Sequence, residues 1–543
     1  MSTSVVVNLF KGIAARLHSV SDTSLVLKLL KKIAAIFSTL WYVLQNSVFC
    51  RMLCSMADAV ANCYGKSFLH SLLTKDGVEK RSSGSLFYRA YKGIVCWITG
   101  VLSKIMTFFV ELAKGSVIIG GLFDNGIKGQ TCVMENKAGL SAAIFAFLIA
   151  AMFCVPHSFW NNMYALLIAF VSFILVIYGH ATKKDGVSIR PDRTYISLIL
   201  FFASLTLSLV ISQNVGDSIR VYVFFVTSLL LCVSVSVFAA SKNVFKKICV
   251  MLFACVVVTG IVGIVQAALK IEADASLTDL TLNKNMPGRV FSTMGNPNNF
   301  AQILVLFMPF AMAYVLTVKG KLKKVLLCAL MLIPFVALLQ TYSRSGWIAF
   351  AVATVVFVTL CNRRAVPFMF LLCVLAIPLL PQSVLNRILT IGNLQDSSSS
   401  YRLVIWEGAF DMLSNYWRTG VGIGPGAFKQ IYSGFALGGT SDVAHCHMQF
   451  LEVFLETGIV GFVSYLMLTF TVIKRSFMAS SSKDSEIKYF GAAAAASMTS
   501  IIFIGFFEYY WFYPRVMFAF FISTGLAVAV YRMWQDEKKA AEK

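Results

Sequence analysis

The stretch KNVFKKICVMLFACVVVTGIVGIVQAAL, residues 242–269, decides the fold class. Lys242, Lys246 and Lys247 stand at its beginning, and residues 248–269 contain no charged side chain. A helix needs about 20 mostly apolar residues to cross the hydrocarbon core of a bilayer, and lysines collect at the cytoplasmic end of such helices. The stretch therefore predicts a membrane-spanning α-helix that begins on the cytoplasmic side.

The composition of the whole chain agrees with this stretch. Of the 543 residues, 58% are hydrophobic and 13% are charged, and the mean hydropathy is +0.76. Soluble domains carry about 25% charged residues. The net charge of +22 would suggest nucleic acid as a partner in a soluble protein. Here the basic residues lie in short runs between apolar stretches, so they indicate topology, and we expect the bilayer and no nucleic acid as partner.

A window of spanning length predicts about twelve transmembrane helices from Ala138 onward, and hence an all-α polytopic membrane protein. The predicted spans are residues 139–155, 160–179, 195–212, 219–240, 247–269, 298–317, 323–341, 345–361, 366–382, 449–473, 489–507 and 513–532.

The loops between these spans alternate in charge. One set is basic, whereas the other set is nearly free of Lys and Arg in its short members, such as 156–160 and 213–218. The basic set is predicted to be cytoplasmic, and no loop breaks the alternation. Its basic residues are Lys183, Lys184, Arg190, Arg193, Lys242, Lys246, Lys247, Lys319, Lys321, Lys323, Lys324, Arg363, Arg364, Lys474, Arg475, Lys483 and Lys488.

Two loops on the predicted outer side are long. The first covers residues 270–297, and the large outer loop covers residues 383–448, between the ninth and tenth spans. Long polar loops often carry the chemistry of a protein that is held on a rigid scaffold. We therefore look for functional residues in these two loops.

Residues 1–137 form an extension before the twelve-helix domain, which covers 138–543. Their apolar stretches 25–44 and 91–121 are interrupted by lysines, which favours cytoplasmic or interfacial amphipathic helices. The uncharged window 33–50 could instead cross the membrane. With a cytoplasmic N-terminus, the later topology requires zero or two spans here. Residues 1–11 do not have the pattern of a cleavable signal peptide.

Two of the six histidines, His445 and His447, lie where the large outer loop enters a predicted span. Only Asp442 and Cys446 are nearby as further metal ligands, and their spacing matches no metal site. A histidine titrates near neutral pH, so it can accept a proton from a hydroxyl group. The pair is therefore predicted to include a general base rather than to hold a metal.

Three arginines lie at predicted outer boundaries of the membrane: Arg289, Arg344 and Arg402. Each could extend to a lipid headgroup, as arginines at helix ends often do. Outer arginines are nevertheless unusual in a chain with this charge bias, and guanidinium groups bind phosphate through paired hydrogen bonds. Arginines and a histidine on one side suggest a lipid-diphosphate donor and a hydroxyl acceptor.

The segment GNPNNFA, residues 295–301, predicts a turn followed by a helix that is capped through Asn298 or Asn299. With Asn296, these amides would face the same compartment as the arginines and could bind the sugar or the diphosphate. The glycine-rich segment 420–426 follows no strand and matches no nucleotide-binding loop.

Intramembrane acidic residues are few: Glu452 and Glu456 on the helix after His447, and Glu508 near a predicted outer end. They could relay protons in a transporter or form hydrogen bonds at helix ends. A polysaccharide flippase or transporter would need charged residues along a path at mid-membrane, and the predicted spans hold almost none.

From about Arg289 to Gly461 the chain resembles the O-antigen ligase and polymerase family of membrane glycosyltransferases. The resemblance is most specific at the last segment, where a histidine precedes a Gly-containing motif; here His447 and Gly458 keep the family's spacing, but Met448 replaces an amide or hydroxyl residue. The matching segments are FSTMGNPNNFA (291–301), TYSRSG (341–346), Arg402 with Trp406, GIG (422–424) and HCHMQFLEVFLETGIVG (445–461).

The resemblance implies an inverting glycosyltransferase at the outer face of the cytoplasmic membrane, with no cofactor and no metal. The donor would be an undecaprenyl-diphosphate-linked glycan, and the acceptor a glycan, a glycolipid or the cell wall. His447 would deprotonate the acceptor, Arg344 and Arg402 would stabilise the leaving diphosphate with support from Arg289, and His445 would orient His447 or the acceptor. Polymerisation of lipid-linked repeat units would need the same donor chemistry and remains an alternative.

Overall fold

A computed structural model describes residues 32, 35, 39, 47–74, 85–114, 138–182, 187–271, 273, 288–392 and 397–542. Residues 1–11, most of the stretches 25–44 and 33–50, and the part of 91–121 after Lys114 lie outside the described residues. So does much of the first long outer loop. Within the described ranges, all regular secondary structure is helical, which confirms the predicted all-α class.

Eighteen α-helices are described, and we number them in chain order. They are α1 (Val48–Lys66), α2 (Phe68–Thr74), α3 (Leu86–Lys114), α4 (Ala138–Cys154), α5 (Asn162–Thr182), α6 (Arg193–Val210), α7 (Val215–Phe238), α8 (Lys242–Ala268), α9 (Pro297–Thr317), α10 (Lys321–Gln340), α11 (Arg344–Asn362), α12 (Val366–Ala376), α13 (Gln382–Leu389), α14 (Ser397–Tyr416), α15 (Pro425–Tyr432), α16 (Gln449–Ala479), α17 (Ser485–Ile504) and α18 (Pro514–Ala541).

Among the described residues, 11 helical stretches are long and apolar enough to cross a membrane. All but one of them coincide with predicted spans. The exception is Leu86–Ala113 in the extension. The first predicted span corresponds to α4, a shorter helix whose apolar part covers Ile144–Cys154. The polytopic prediction is therefore confirmed, and the extension contains a further stretch of spanning length.

The eighth and ninth predicted spans form one apolar stretch, Arg344–Leu379, with a turn inside it. A 3₁₀ turn at Arg363–Ala365 separates α11 from α12. Beyond α12 the chain returns to the beginning of α11, because Ser383 Oγ lies 3.0 Å from Tyr342 Oη. Helix α12, which lies between these two points, is 11 residues long. The ninth predicted span, residues 366–382, therefore stays a prediction.

Helices α9, α17 and α18 form the centre of the bundle. The apolar window of α18 is 100% buried, whereas that of α10 is 17% buried. Apolar side chains on α10, such as Leu326, Leu332 and Val336, are exposed. Because lipid tails solvate such side chains as well as a protein core does, the exposed face of α10 is suited to contact lipid.

The extension contacts the helix bundle at loops of the predicted cytoplasmic set. Asp58 of α1 accepts hydrogen bonds from Arg363 Nε at 2.9 Å and from Arg364 at 3.1 Å. Tyr91 of α3 donates its hydroxyl proton to the carbonyl oxygen of Asp192 at 2.8 Å. Helix α2 packs on α16 and α3 on α5. The cytoplasmic position of α1 and the interfacial position of α3 both stay predictions.

Candidate active site

Arg289 lies at the end of the first long loop and is 6% exposed. Its Nε donates to the carbonyl oxygen of Thr341 at 2.8 Å, and its Nη2 donates to Asn298 Oδ1 at 2.7 Å. Burial lowers the pKa of Arg289 to about 10, and the charges of neighbouring arginines add to this effect. The side chain is therefore a fixed cation in a positive environment.

Arg289 belongs to a group of four guanidinium groups, which we call the arginine cluster: Arg289, Arg344, Arg387 and Arg402. The charges of the other three all act on Arg289 and lower its pKa, and Glu508 opposes them. Arg344 Nη1 donates to the carbonyl oxygen of Thr390 at 3.0 Å. A group of four guanidinium groups is suited to an anion with several negative charges.

Glu508, in the loop between α17 and α18, connects the arginine cluster to the histidines. Its Oε1 accepts hydrogen bonds from Arg402 Nη2 at 2.6 Å and from Asn298 Nδ2 at 3.3 Å. Its Oε2 lies 3.9 Å from His447 Nδ1, which is longer than a hydrogen bond. Burial would raise the pKa of Glu508, but the charge of Arg402 and the nearby His447 outweigh it and hold the pKa at about 2. The carboxylate is therefore ionised.

His447 has a left-handed backbone conformation, with φ of +56°. Its backbone N–H donates to His445 Nδ1 at 3.1 Å, and the two imidazole rings lie 4.1 Å apart. The His447 side chain is 28% exposed, whereas the ring of His445 is buried and lies 4.3 Å from that of Phe512. Burial and the neighbouring His447 lower the pKa of His445 well below its usual value. Hence His445 is neutral and its Nδ1 acts as an acceptor.

Residues 303–466 match the sequence profile of a family described as O-antigen ligase. This part of the chain is similar to the O-antigen ligase family, and the match supports membership in that family. The resemblance noted from the sequence is thereby confirmed. The family supports a membrane enzyme that transfers lipid-linked glycans. No curated protein matches the chain.

Arg344, Arg402, His445 and His447 all lie inside the region that matches the O-antigen ligase family. Glu508 lies beyond the end of that region.

The backbone around His447 is held by hydrogen bonds on both sides. The Cys446 N–H donates to Glu452 Oε2 at 2.6 Å, and Trp406 Nε1 donates to the carbonyl oxygen of Cys446 at 2.8 Å. Met448 occupies the N-cap position of α16 and provides no side-chain cap. The N–H of Gln449 donates instead to the carbonyl oxygen of Gly505 at 2.8 Å. Met448, which departs from the family pattern, therefore does not cap α16 with its side chain. The backbone hydrogen bond of Gln449 still holds the beginning of the helix in place.

Gly458 breaks α16 next to the site. Its φ of +64° and ψ of −171° lie in a region that essentially only glycine adopts. A Cβ atom here would lie 2.4 Å from the carbonyl oxygen of Arg418, because the glycine-rich segment packs against the break. The N–H of Ile459 donates to the carbonyl oxygen of Trp417 at 2.8 Å. Gly458 and the glycine-rich segment 420–426 thus allow their backbones to pack closely. This packing explains the glycines without a bound ligand.

The asparagine turn corrects one prediction. The N-cap of α9 is Asn296, whose side chain accepts from the N–H groups of Asn298 at 2.8 Å and Asn299 at 3.4 Å. The predicted caps, Asn298 and Asn299, are wrong, because Pro297 has no N–H and occupies the first helical position. Asn298 instead bridges Arg289 and Glu508. Asn299 is 3% exposed, and its Oδ1 accepts no hydrogen bond from the described residues.

Two members of the site were missed from the sequence. Arg387 lies on α13 and donates from Nε to the carbonyl oxygen of Tyr342 at 3.3 Å. A fourth outer arginine in a short amphipathic helix was the available signal. Glu508 was noted but given no role, since nothing in its surrounding sequence indicates Arg402 as its partner. In the described part of the chain, no group of three His, Cys, Asp or Glu side chains could hold a metal.

Proposed function

We propose that this protein transfers a glycan from undecaprenyl diphosphate to an acceptor hydroxyl group at the outer face of the cytoplasmic membrane. The convergence of the arginine cluster with His447 and Glu508 supports the proposal most strongly. A diphosphate leaving group needs several positive charges, and an acceptor hydroxyl needs a base. The described site offers both within one group of contacts. Guanidinium groups would stabilise the leaving diphosphate, a task for which other glycosyltransferases use a metal ion.

On the acceptor side, His447 is the proposed general base. Its imidazole takes the hydroxyl proton while the acceptor oxygen forms a bond to the anomeric carbon of the donor sugar. The resulting imidazolium faces Glu508, whose ionised carboxylate 3.9 Å from Nδ1 stabilises the positive charge. His445 accepts the backbone N–H of His447 and so fixes the conformation of that residue. We assign His445 a positioning role.

On the donor side, the arginine cluster holds the diphosphate. As the acceptor attacks, the bond from the anomeric carbon to the diphosphate oxygen breaks, and that oxygen keeps the electron pair. Attack opposite the leaving group inverts the configuration. Positive groups fixed in place before the reaction stabilise the negative charge that develops on the oxygen, and each can contribute several kcal/mol. Arg344 and Arg402 are the proposed main contacts, Arg289 and Arg387 support them, and Asn296, Asn298 and Asn299 remain candidate donor contacts.

The test uses purified full-length protein with an undecaprenyl-diphosphate glycan and candidate acceptors, without nucleotide sugar. We expect released undecaprenyl diphosphate and an enlarged acceptor. Arg402→Ala should remove most transfer and Arg402→Lys should restore little, because an ammonium group cannot form the paired hydrogen bonds. The control is Arg418→Ala, since Arg418 is an exposed arginine of the same loop that lies over Trp417. Equal transfer by Arg402→Ala and Arg418→Ala would reject the diphosphate assignment.

The outer orientation can be tested separately. A single cysteine placed within residues 438–442, after replacement of the native cysteines, should react with a membrane-impermeant thiol reagent in whole cells. Gly439 offers a suitable position because a side chain there would meet no other atom within 4 Å. Protection of this cysteine in intact cells, with labelling after lysis, would place the large loop on the cytoplasmic side and reject the orientation.

A further inference from the structure

An open pocket of about 450 Å³ lies at the opposite end of the bundle, between the α9–α10 turn and the beginning of α17. Lys319, Lys321 and Lys324 line it on one side, and Ser485, Glu486 and Tyr489 on the other. We call it the lysine pocket. It shares no residue with the arginine cluster, and it belongs to a loop of the predicted cytoplasmic set. Its chemistry therefore needs a separate explanation.

The three lysines of the pocket have no ion-pair partner among the described residues. The nearby acidic side chains are already neutralised: Glu486 pairs with Lys246 at 3.1 Å, and Asp484 pairs with Lys242 at 2.6 Å. Lys246 also donates to the carbonyl oxygen at the end of α9. The pocket thus keeps a net positive charge from Lys319, Lys321 and Lys324.

The pocket also offers hydrogen-bond donors other than ammonium groups. In the described ranges, neither the Ser485 hydroxyl nor the Tyr489 hydroxyl has a hydrogen-bond partner. Both belong to the first turns of α17, where the helix dipole adds partial positive charge. Three ammonium groups and two hydroxyl groups around one cavity match the oxygen atoms of a phosphate group.

The surroundings favour a phosphate that is attached to a lipid. The pocket lies where α10 begins, and the apolar run of that helix follows at once. Leu326 and Leu332 on α10 are 51% and 60% exposed, so acyl chains could pack along this helix below a bound headgroup. Basic pockets between transmembrane helices on the cytoplasmic side are suited to anionic lipid headgroups. We propose that the lysine pocket binds the phosphodiester headgroup of an anionic phospholipid.

Topology alone could explain basic residues in this loop, but it would not require them to share a pocket. Lys323 distinguishes the two explanations, because it lies in the same turn and does not line the pocket. Lys323→Gln removes as much charge from the loop as Lys321→Gln or Lys324→Gln does. Only the latter two substitutions should weaken binding of a headgroup.

The experiment uses the full-length protein in detergent, titrated with phosphatidylglycerol that carries a fluorophore on an acyl chain. Each lysine near a phosphate contributes about 1 kcal/mol, which is about a fivefold change in affinity. We expect Lys321→Gln/Lys324→Gln to weaken binding about 25-fold and Lys323→Gln to change it less than twofold. Binding to the unchanged protein should also weaken as salt is added.

Competition identifies the source of the phosphate. Unlabelled phosphatidylglycerol should displace the probe, whereas phosphatidylcholine should not, since its headgroup has no net charge. If inorganic phosphate displaces the probe as effectively as phosphatidylglycerol, the pocket binds free phosphate and the lipid assignment is overturned. Equal binding by Lys323→Gln and the double variant, or by phosphatidylcholine, would also overturn it. None of these outcomes depends on glycan transfer.

Discussion

Glu508→Gln tests the candidate active site, because Glu508 lies between Arg402 of the arginine cluster and His447. The substitution keeps the size of the side chain and removes its negative charge. In the structure that charge faces Arg402 at 2.6 Å and His447 at 3.9 Å. The variant would leave the guanidinium group of Arg402 partly buried without its counter-charge and would remove the carboxylate that faces the proposed base. We therefore expect losses of both stability and transfer.

The size of the effect follows from the pKa of Glu508. This pKa is lowered from 4.5 to about 2, which corresponds to roughly 3 kcal/mol of net interaction in favour of the ionised form. The side chain is 11% exposed, so solvent screens little of this energy. If the same interaction holds the catalytic groups in place, its loss should reduce transfer about 10²-fold. Removing one partner of a buried ion pair generally costs about 3–5 kcal/mol.

The lowered pKa also predicts how stability depends on pH. A carboxyl group whose pKa is lower in the folded protein stabilises the fold fully above its unfolded pKa of 4.5. This contribution is lost as the pH falls from about 4.5 toward about 2. Glu508→Gln has no such contribution to lose. Its thermal stability should therefore fall less steeply than that of the unchanged protein over this range.

The assays are thermal unfolding in detergent across this pH range and the rate of glycan transfer near neutral pH. Glu407→Gln is the matched control, because Glu407 is an exposed glutamate on α14, near Arg402 in the sequence. We expect the control to keep the stability and the rate of the unchanged protein. The reasoning is refuted if Glu508→Gln and Glu407→Gln behave alike in both assays.

Three further variants test other parts of the structure. His447→Ala should lower transfer about 10²–10⁴-fold while labelled donor still binds, and near-normal transfer would reject the base assignment. Gly458→Ala should lower the unfolding temperature because its Cβ would meet a backbone carbonyl at 2.4 Å; Gly439→Ala, with a φ of +80° but open space, should lower it less, and the reverse order would contradict the packing. Asp192→Asn should destabilise the protein by about 3–5 kcal/mol, because Arg475 is 5% exposed and pairs with it; an unchanged unfolding midpoint in denaturant would show that the pair contributes little.

Some features of this protein depend only on neighbouring residues, and the sequence was sufficient to predict them. The apolar stretches determine the spans, because crossing a bilayer requires about 20 apolar residues in a row. The predicted ninth span stays a prediction, because its α-helix has 11 residues and a 3₁₀ turn continues it. His447, Arg344 and Arg402 stood out because such residues are rare at outer boundaries. These three residues could thus be selected as candidate functional residues before the fold was known, because the type and position of each single residue were sufficient.

The tertiary structure decided which of these residues meet. Glu508 lies 106 positions from Arg402 and 210 from Asn298, and no local pattern relates such distant positions. Arg387 lies 45 positions from Tyr342 in the sequence, and only the return of the chain to the beginning of α11 brings the two residues into contact. Even the cap of α9 depended on which asparagine the backbone turns toward the helix. Spans follow from local hydrophobicity, whereas the charges of a site interact according to distances that only the packing of the helices sets.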